Sequence, residues 1–435
     1  MTMNRRDFLA QASLLAALPI MRMRIPSLTP LRVNAERLNG LFASFSAIGR
    51  TAGGINRVAY SEADLAGRAF VLDVMRQSGL NPRIDAAGNI YGRIEGSDRS
   101  LKPILIGSHV DSVTDGGNYD GVVGSFSAIE VARSVREQNV RLRHPLDVVI
   151  WQNEEGGTIG SKLAIGALTS EDLDKVARSG KTIREGTGIV GGDVSKLKSA
   201  ELKRGDIALY LELHIEQGGF LDRDKRQIGI VEGIVGLRWF EVTIVGFSNH
   251  AGTTPMDRRQ DAMLAAAKFT VAVNDAVRGE PGRQVATVGR LIPSPNTTNV
   301  IPGQVVLTVD LRDLDVAKLA HFTERFETLA REIGSATGTT FSFKRLVDSE
   351  PALCDVSIMR HIEASTAALG LSSQRMPSGA GHDAQEIAHV AAIGMIFVPS
   401  VAGISHSPRE LTKPEDIVNG ANVLFNTVIA ADRDG

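Results

Sequence analysis

The chain has 435 residues, 43% of them hydrophobic and 23% charged, with a formal net charge of −2. That length exceeds what one core usually carries, so two domains are expected, and the near-neutral balance gives no basis for a nucleic-acid or acidic-membrane partner. Cys354 is the single cysteine, which excludes an intramolecular disulfide framework and any cysteine-rich metal site; a metal would have to be held by His, Asp and Glu.

The first 30 residues differ in character from the rest of the chain. Arg5-Arg6 precedes a weakly apolar run over residues 10–20. A paired arginine ahead of such a run resembles a twin-arginine export signal, so a periplasmic location is expected, with a cytoplasmic protein carrying an N-terminal arm as the alternative. The run is too short for a stable membrane span. From 31 to 236, helical patterns alternate with short buried strands. Residues 61–79 predict a helix with Ser61 as its N-cap and Gly79 at its end. Strands are predicted at 103–106, 147–152 and 208–213. This alternation predicts an α/β catalytic domain with a mainly parallel sheet, and such sheets bind ligands at the carboxyl ends of their strands. From 237 to 344 the order becomes strand 237–245, helix 257–278, strands 284–291 and 304–311, helix 316–333, strand 339–343. That is the split ferredoxin-like α+β unit. Residues 345–435 return to the first style, so the unit reads as an insertion, and the catalytic domain as 31–236 plus 345–435.

Acids and imidazoles gather where the predicted strands give way to loops. His109 and Asp111 stand in Gly107-Ser108-His109-Val110-Asp111-Ser112; a neutral imidazole ligates a borderline metal, and a carboxylate two residues on can orient it. Asp120 lies in Gly116-Gly117-Asn118-Tyr119-Asp120-Gly121, a glycine-rich turn where backbone can approach a ligand closely. Trp151-Gln152-Asn153-Glu154-Glu155-Gly156 puts two carboxylates side by side beyond a buried strand. Burying either without a cation is costly, and one can ligate while its neighbour acts as general base. His214 stands in Glu212-Leu213-His214-Ile215-Glu216-Gln217-Gly218, and His406 in Ile404-Ser405-His406-Ser407-Pro408. Singly, each has an ordinary explanation: a loop histidine, an Asp-Gly turn, a solvated acidic loop. Together, His109, Asp120, Glu155, His214 and His406, from five separate strand-to-loop junctions, point to a dinuclear metal site.

These segments, together with Ser378-Gly379-Ala380-Gly381-His382-Asp383-Ala384 further along, resemble the amidase/hydantoinase/carbamoylase branch of the dinuclear zinc aminoacylase–carboxypeptidase hydrolases. That branch includes N-carbamoyl-L-amino-acid hydrolases, allantoate amidohydrolases and some β-ureidopropionases. The resemblance runs from about residue 34 to 431, and the form Leu213-His214-Ile215-Glu216-Gln217-Gly218 separates the branch from its peptidase relatives. It implies two divalent ions per subunit, zinc by default, with manganese, cobalt and nickel also suited to such ligands. His109 and His214 would hold one ion, Glu155 and His406 the other, with Asp120 bridging and Glu154 as general base. It further implies a homodimer in which His250, of Ser248-Asn249-His250-Ala251-Gly252, reaches the neighbouring subunit's site to stabilise the oxyanion. Gln217, Asn299, Arg312, Gly381 and His382 would contact a small carboxylate-bearing substrate, together with His250. An arginine ending an apolar strand suits bidentate capture of a carboxylate, although a surface ion pair is the commoner role for a lone one. The activity implied is hydrolysis of the ureido or carbamoyl C–N bond of a small N-carbamoyl amino acid or allantoate-like acid. Aminoacylase- or peptidase-type hydrolysis by the same site is the alternative. A metal-loaded binding protein would lack the base that Glu154 supplies.

Overall fold

The computed structural model describes residues 30–434; the paired arginines and the apolar run lie outside them. Among the described residues, four strands run parallel side by side: Leu146–Trp151, Ile104–His109, Leu209–Ile215 and Ala392–Val398. Every residue of the first two is buried. A strand covered on both faces has no polar side to show, which is why these segments read as continuous apolar runs. Antiparallel strands flank this centre, Ile90–Ile94 and Arg83–Ile84 on one side and Ile228–Ile234 on the other; the last also pairs with Ala352–Leu353 and, in parallel, with Ser373–Ser378, which completes a nine-stranded mixed sheet. The helices Val122–Glu137 and Pro414–Asp434 pack on each other and on the sheet.

The predicted helix after Ser61 forms as Glu62–Gln77, with the Ser61 hydroxyl accepting from the Asp64 amide. It ends before Gly79, whose φ is +73°; a Cβ there would sit 1.2 Å from Arg136 Nη1. The left-handed backbone favours glycine there, and the Arg136 guanidinium takes up the space a side chain would fill. Two strands run further than their apolar stretches. His109 pairs with Trp151 and His214 with Phe397 in the parallel ladder, so each histidine lies inside a strand, not in the loop after it.

Residues 236–349 build a second sheet, antiparallel and four-stranded, in the order Thr340–Ser349, Gly236–Val245, Gln304–Asp313, Val285–Ser294. The helices Ala262–Arg278 and Val316–Thr337 join it in the expected β-α-β-β-α-β order. Phe240, Val242, Phe269, Leu307, Val309, Phe322 and Phe326 form its own core. The first of these helices starts later than predicted because the Asp261 carboxylate caps it, accepting from the amides of Met263 and Leu264 at 2.9 and 3.0 Å. The second runs past 333 to Gly338, where φ of +66° stops it. No helix among the described residues is long and apolar enough to cross a membrane.

Candidate metal centre

The four parallel strands deliver their side chains at one end. His109 is the last residue of its strand and His214 the next to last of its own; both are fully buried. Asp120 precedes the helix Val122–Glu137, beside Gly121, whose φ is +66°. A Cβ on Gly121 would come within 2.3 to 2.4 Å of the His109 ring, so glycine is what lets Asp120 reach that imidazole. His109 and Asp120 therefore share one strand–helix connection, and the five groups come from four junctions, not five. Glu154 and Glu155 follow the strand Leu146–Trp151, and His406 lies beyond Ala392–Val398 at a φ of +51°.

The two oxygens of Asp120 face different donors. Oδ1 lies 3.2 Å from His214 Nε2 and 3.6 Å from His109 Nε2. Oδ2 lies 3.2 Å from His406 Nε2, which is 3.5 Å from Glu155 Oε1. His109–Asp120–His214 and Asp120–Glu155–His406 each bring their ligand atoms within 4.8 Å of one another. His109 Nε2 and Glu155 Oε1 are buried without a hydrogen-bond partner, an arrangement that is costly unless a cation meets them. Three imidazole nitrogens and two carboxylates are a donor set suited to borderline divalent metals, so the residues fit the ions the sequence implied.

Neighbouring bonds aim these ligands. Nδ1 of His109 lies 3.2 Å from the Asp111 carbonyl, and Nδ1 of His214 lies 3.0 Å from that of Ile215; these contacts orient each ring so that Nε2 faces Asp120. The Asp111 carboxylate accepts from the amides of Glu154 and Glu155, both at 3.1 Å, which fixes that turn, and its Oδ1 also stands 3.6 Å from His109 Nδ1, beside the ring it was expected to orient. Burial pushes the Glu154 carboxyl well above its usual range, and Glu155 up to about 7. Against the cost of burial, the three imidazoles hold Asp120 well below that range. The Asp120 hydrogen bond lifts His406 to about 8. Glu212, which has no distinguishing signal in the sequence, is fully buried behind the ligands and accepts from Ser108 Oγ at 2.8 Å and the Ala384 amide at 3.0 Å.

The remaining predicted residues divide. Gln217 joins the cluster, its Nε2 donating to Asp120 Oδ2 at 2.7 Å. His382 is buried edge-on to His214, ring centroids 4.5 Å apart, with Nε2 2.8 Å from Ser378 Oγ. Gly381 stands nearby with room beside it, since a Cβ would meet only Gln385 Oε1 at 3.6 Å. His250 and Asn299 are exposed on the four-stranded unit and adjoin each other through Ala251 N–H to Asn299 O at 3.0 Å. Arg312 spends its fork on Asp310, with contacts of 2.8 and 3.0 Å, and donates from Nη1 to the Gly379 carbonyl at 2.7 Å. The ion-pair reading of Arg312 is thus the one the structure adopts, at a point that touches the loop of Gly381. A cavity of about 910 Å³ lined by Arg83, Tyr91, Lys102 and Pro145 lies at the opposite, amino end of the strands and contains none of the ligands.

An α/β sheet carrying this donor set at its strand ends, with a second carboxylate alongside, is the site of a metal-dependent hydrolase. The chain belongs to peptidase family M20/M25/M40, whose model matches residues 105–430, and within it to the hydantoinase/carbamoylase amidases. It is 36% identical over 406 residues to the N-carbamoyl-L-amino-acid amidohydrolase of a Pseudomonas species, covering 91% of this chain and 98% of that one. It is also 36% identical over 382 residues to the allantoate amidohydrolase of Escherichia coli, covering 86% and 92%. The crystal structure of an amidase of the hydantoinase/carbamoylase family from Burkholderia multivorans matches with a TM-score of 0.85 at 34% identity, covering 92% of this chain and 98% of that one. The family read from the motifs is borne out.

Proposed function

We propose that this protein hydrolyses the ureido or carbamoyl C–N bond of a small N-carbamoyl amino acid or allantoate-like acid, using two divalent ions, zinc by default. The observation that carries this is the division of Asp120, one oxygen toward His109 and His214 and the other toward His406 and beside Glu155. The relatives' activities support the choice of bond. When bound, such ions polarise a carbonyl and lower the pKa of a neighbouring water.

The chain's own residues then have separate tasks. Glu154 belongs to neither ligand group, and its Oε2 lies 3.5 Å from His109 Nε2. It takes a proton from water as the water oxygen bonds to the carbonyl carbon, then returns it to the departing nitrogen as the C–N bond breaks. His250 Nδ1 accepts from the amides of Gly252 and Thr253 at 3.0 and 3.2 Å. Its neutral ring therefore carries the proton on Nε2, the form that can donate to a developing oxyanion. His250 is tied to its own unit through these bonds and a bridge to Val300, so it reaches a cluster by closure or from a second copy; we favour a homodimer. Gln217, Asn299, Arg312, Gly381 and His382 hold the substrate's carboxylate and ureido groups, Arg312 by exchanging Asp310 for the substrate. Ammonia release from N-carbamoyl-L-amino acids, allantoate and N-carbamoyl-β-alanine should exceed deacylation of N-acetyl amino acids by the zinc-loaded protein. Faster deacylation would overturn the choice of bond. We also propose export through Arg5-Arg6: replacing both with lysine should hold the protein in the cytoplasm, and a wild type found only there with its N-terminus intact would overturn it.

A further inference from the structure

Glu410 is 6% exposed, and neither ligand group includes it. Its Oε1 accepts from the amides of Tyr119 at 2.8 Å and Asp120 at 3.2 Å. Its Oε2 accepts from the Ser405 hydroxyl at 2.8 Å, and the same hydroxyl lies 3.0 Å from Asp120 Oδ2. One side chain thus ties the loop of the shared carboxylate to the loop of His406. The fit is close: a Cβ on Gly117 would fall 2.1 Å from Glu410 Oε1, so the Gly116-Gly117 turn is glycine where it folds over this carboxylate.

We infer that Glu410 is a positioning residue that sets His406 against Asp120, and that it governs the uptake of one metal ion far more than of the other. This rests on the proposed dinuclear centre. The asymmetry comes from how the two halves are held. His109 and His214 are fixed in the parallel ladder. Asp120 is also anchored by its helix, its carbonyl accepting from Val122 N and that of Tyr119 from Val123 N, at 2.7 and 2.9 Å. His406 sits half exposed in a left-handed conformation on a loop whose neighbouring bonds are local: Glu410 N to Ser407 O at 3.0 Å and Arg409 N to Ser407 Oγ at 3.3 Å. Removing Glu410 frees this loop and leaves the strand-borne pair in place.

Zinc titration of the metal-free full-length protein against a competing chromophoric chelator reads both dissociation constants. Glu410→Ala should weaken one step by about 10–100-fold, the usual cost of an outer-shell change, and the other by less than about threefold. His406→Ala should weaken the same step by more, and the double variant should lose little beyond His406→Ala alone, because Glu410 acts through His406. Glu410→Gln should restore both steps to within about threefold of wild type, since its carbonyl can accept from the two amides while its NH₂ donates to Ser405 Oγ. If Glu410→Ala does not fold by circular dichroism, Ser405→Ala, which cuts one arm of the tie, should weaken the same step selectively. Equal loss of both ions, no loss, or a glutamine variant no better than alanine overturns the role of Glu410. A wild type that takes up only one ion overturns the dinuclear reading itself and the inference with it.

Discussion

At the carboxyl end of the parallel sheet, His109, Asp111, Asp120 and His214 are all buried and bonded to one another's surroundings. On the four-stranded unit, His250 and Asn299 are exposed and bonded within their own loops. The contrast has a physical reading. Buried charges must already be matched in the folded chain, because rearranging them inside protein is costly. The sheet end is therefore an arrangement finished but for a partner to His109 Nε2 and Glu155 Oε1, whereas the corner with His250 and Asn299 is open to solvent.

The largest effect tests the finished half. Glu154→Gln should leave metal content near wild type and lower turnover by about 100–10,000-fold, the usual cost of removing a general base. Near-normal turnover with metal retained would show that the buried arrangement works without Glu154. Next comes the exposed half. His250→Ala should cost about 100–1,000-fold, as for other oxyanion donors. If His250 serves the neighbouring subunit, mixing His250→Ala with Glu154→Gln protomers yields dimers with one doubly defective site and one intact site, so up to about half of wild-type activity per mixed dimer returns. If each subunit uses its own His250, no activity returns even with subunit exchange verified.

A smaller effect separates the two regions by pH. His406 is raised from 6.5 to about 8 by its bond to Asp120, and Glu155 from 4.5 to about 7 by burial. In the metal-free protein the histidine shift stabilises the fold, fully below pH 6.5 and no longer above about 8. The glutamate shift destabilises it progressively between 4.5 and about 7. Both make apo stability fall as pH rises. Metal uptake needs both groups deprotonated, so zinc affinity should climb over the same interval. Differential scanning calorimetry should show the apo Tm falling and the zinc-induced rise in Tm growing between pH 6.5 and 8.5. His250 lies on the four-stranded unit and outside the groups around Asp120, so a His250→Ala variant should show the same curve; a different one would mean the two regions communicate in the apo protein.

How much of this was legible in the chain depends on the range of the interaction. The parallel strands were, because burial on both faces writes itself as an apolar run, and so was the gathering of His109, Asp120, Glu155, His214 and His406 at one end of the sheet, because acids and imidazoles recur beyond such runs. The strands' full length was not: His214 is inside its strand through pairing with Phe397, far along the chain. Glu410 was invisible for the same reason, its contacts being with residues 119 and 120. The Asp310–Arg312 pair, by contrast, could have been read, since residues two apart on a strand share a face. The cap at Asp261 was equally local and was missed because the residues from 257 carry no strong breaker after Pro255.

The smallest expected effect is at the seam between the regions. Cys354 adjoins the end of the short strand Ala352–Leu353, where the chain returns from the four-stranded unit to the large sheet, and its amide donates to the Glu232 carbonyl at 3.0 Å. Burial pushes its thiol up to about 12. Only the thiolate reacts readily, and at pH 8 that shift leaves about one thiol in 10,000 ionised. As the single cysteine, Cys354 gives an unmixed signal. Iodoacetamide should leave the native protein unlabelled and label it fully in guanidinium, read by intact mass. Adding zinc and an N-carbamoyl amino acid should change nothing if the unit reaches its target as a rigid body docked against a second copy. Labelling that rises on adding them would place a hinge at the seam, and the exposed corner would then find the cluster of its own chain by closure.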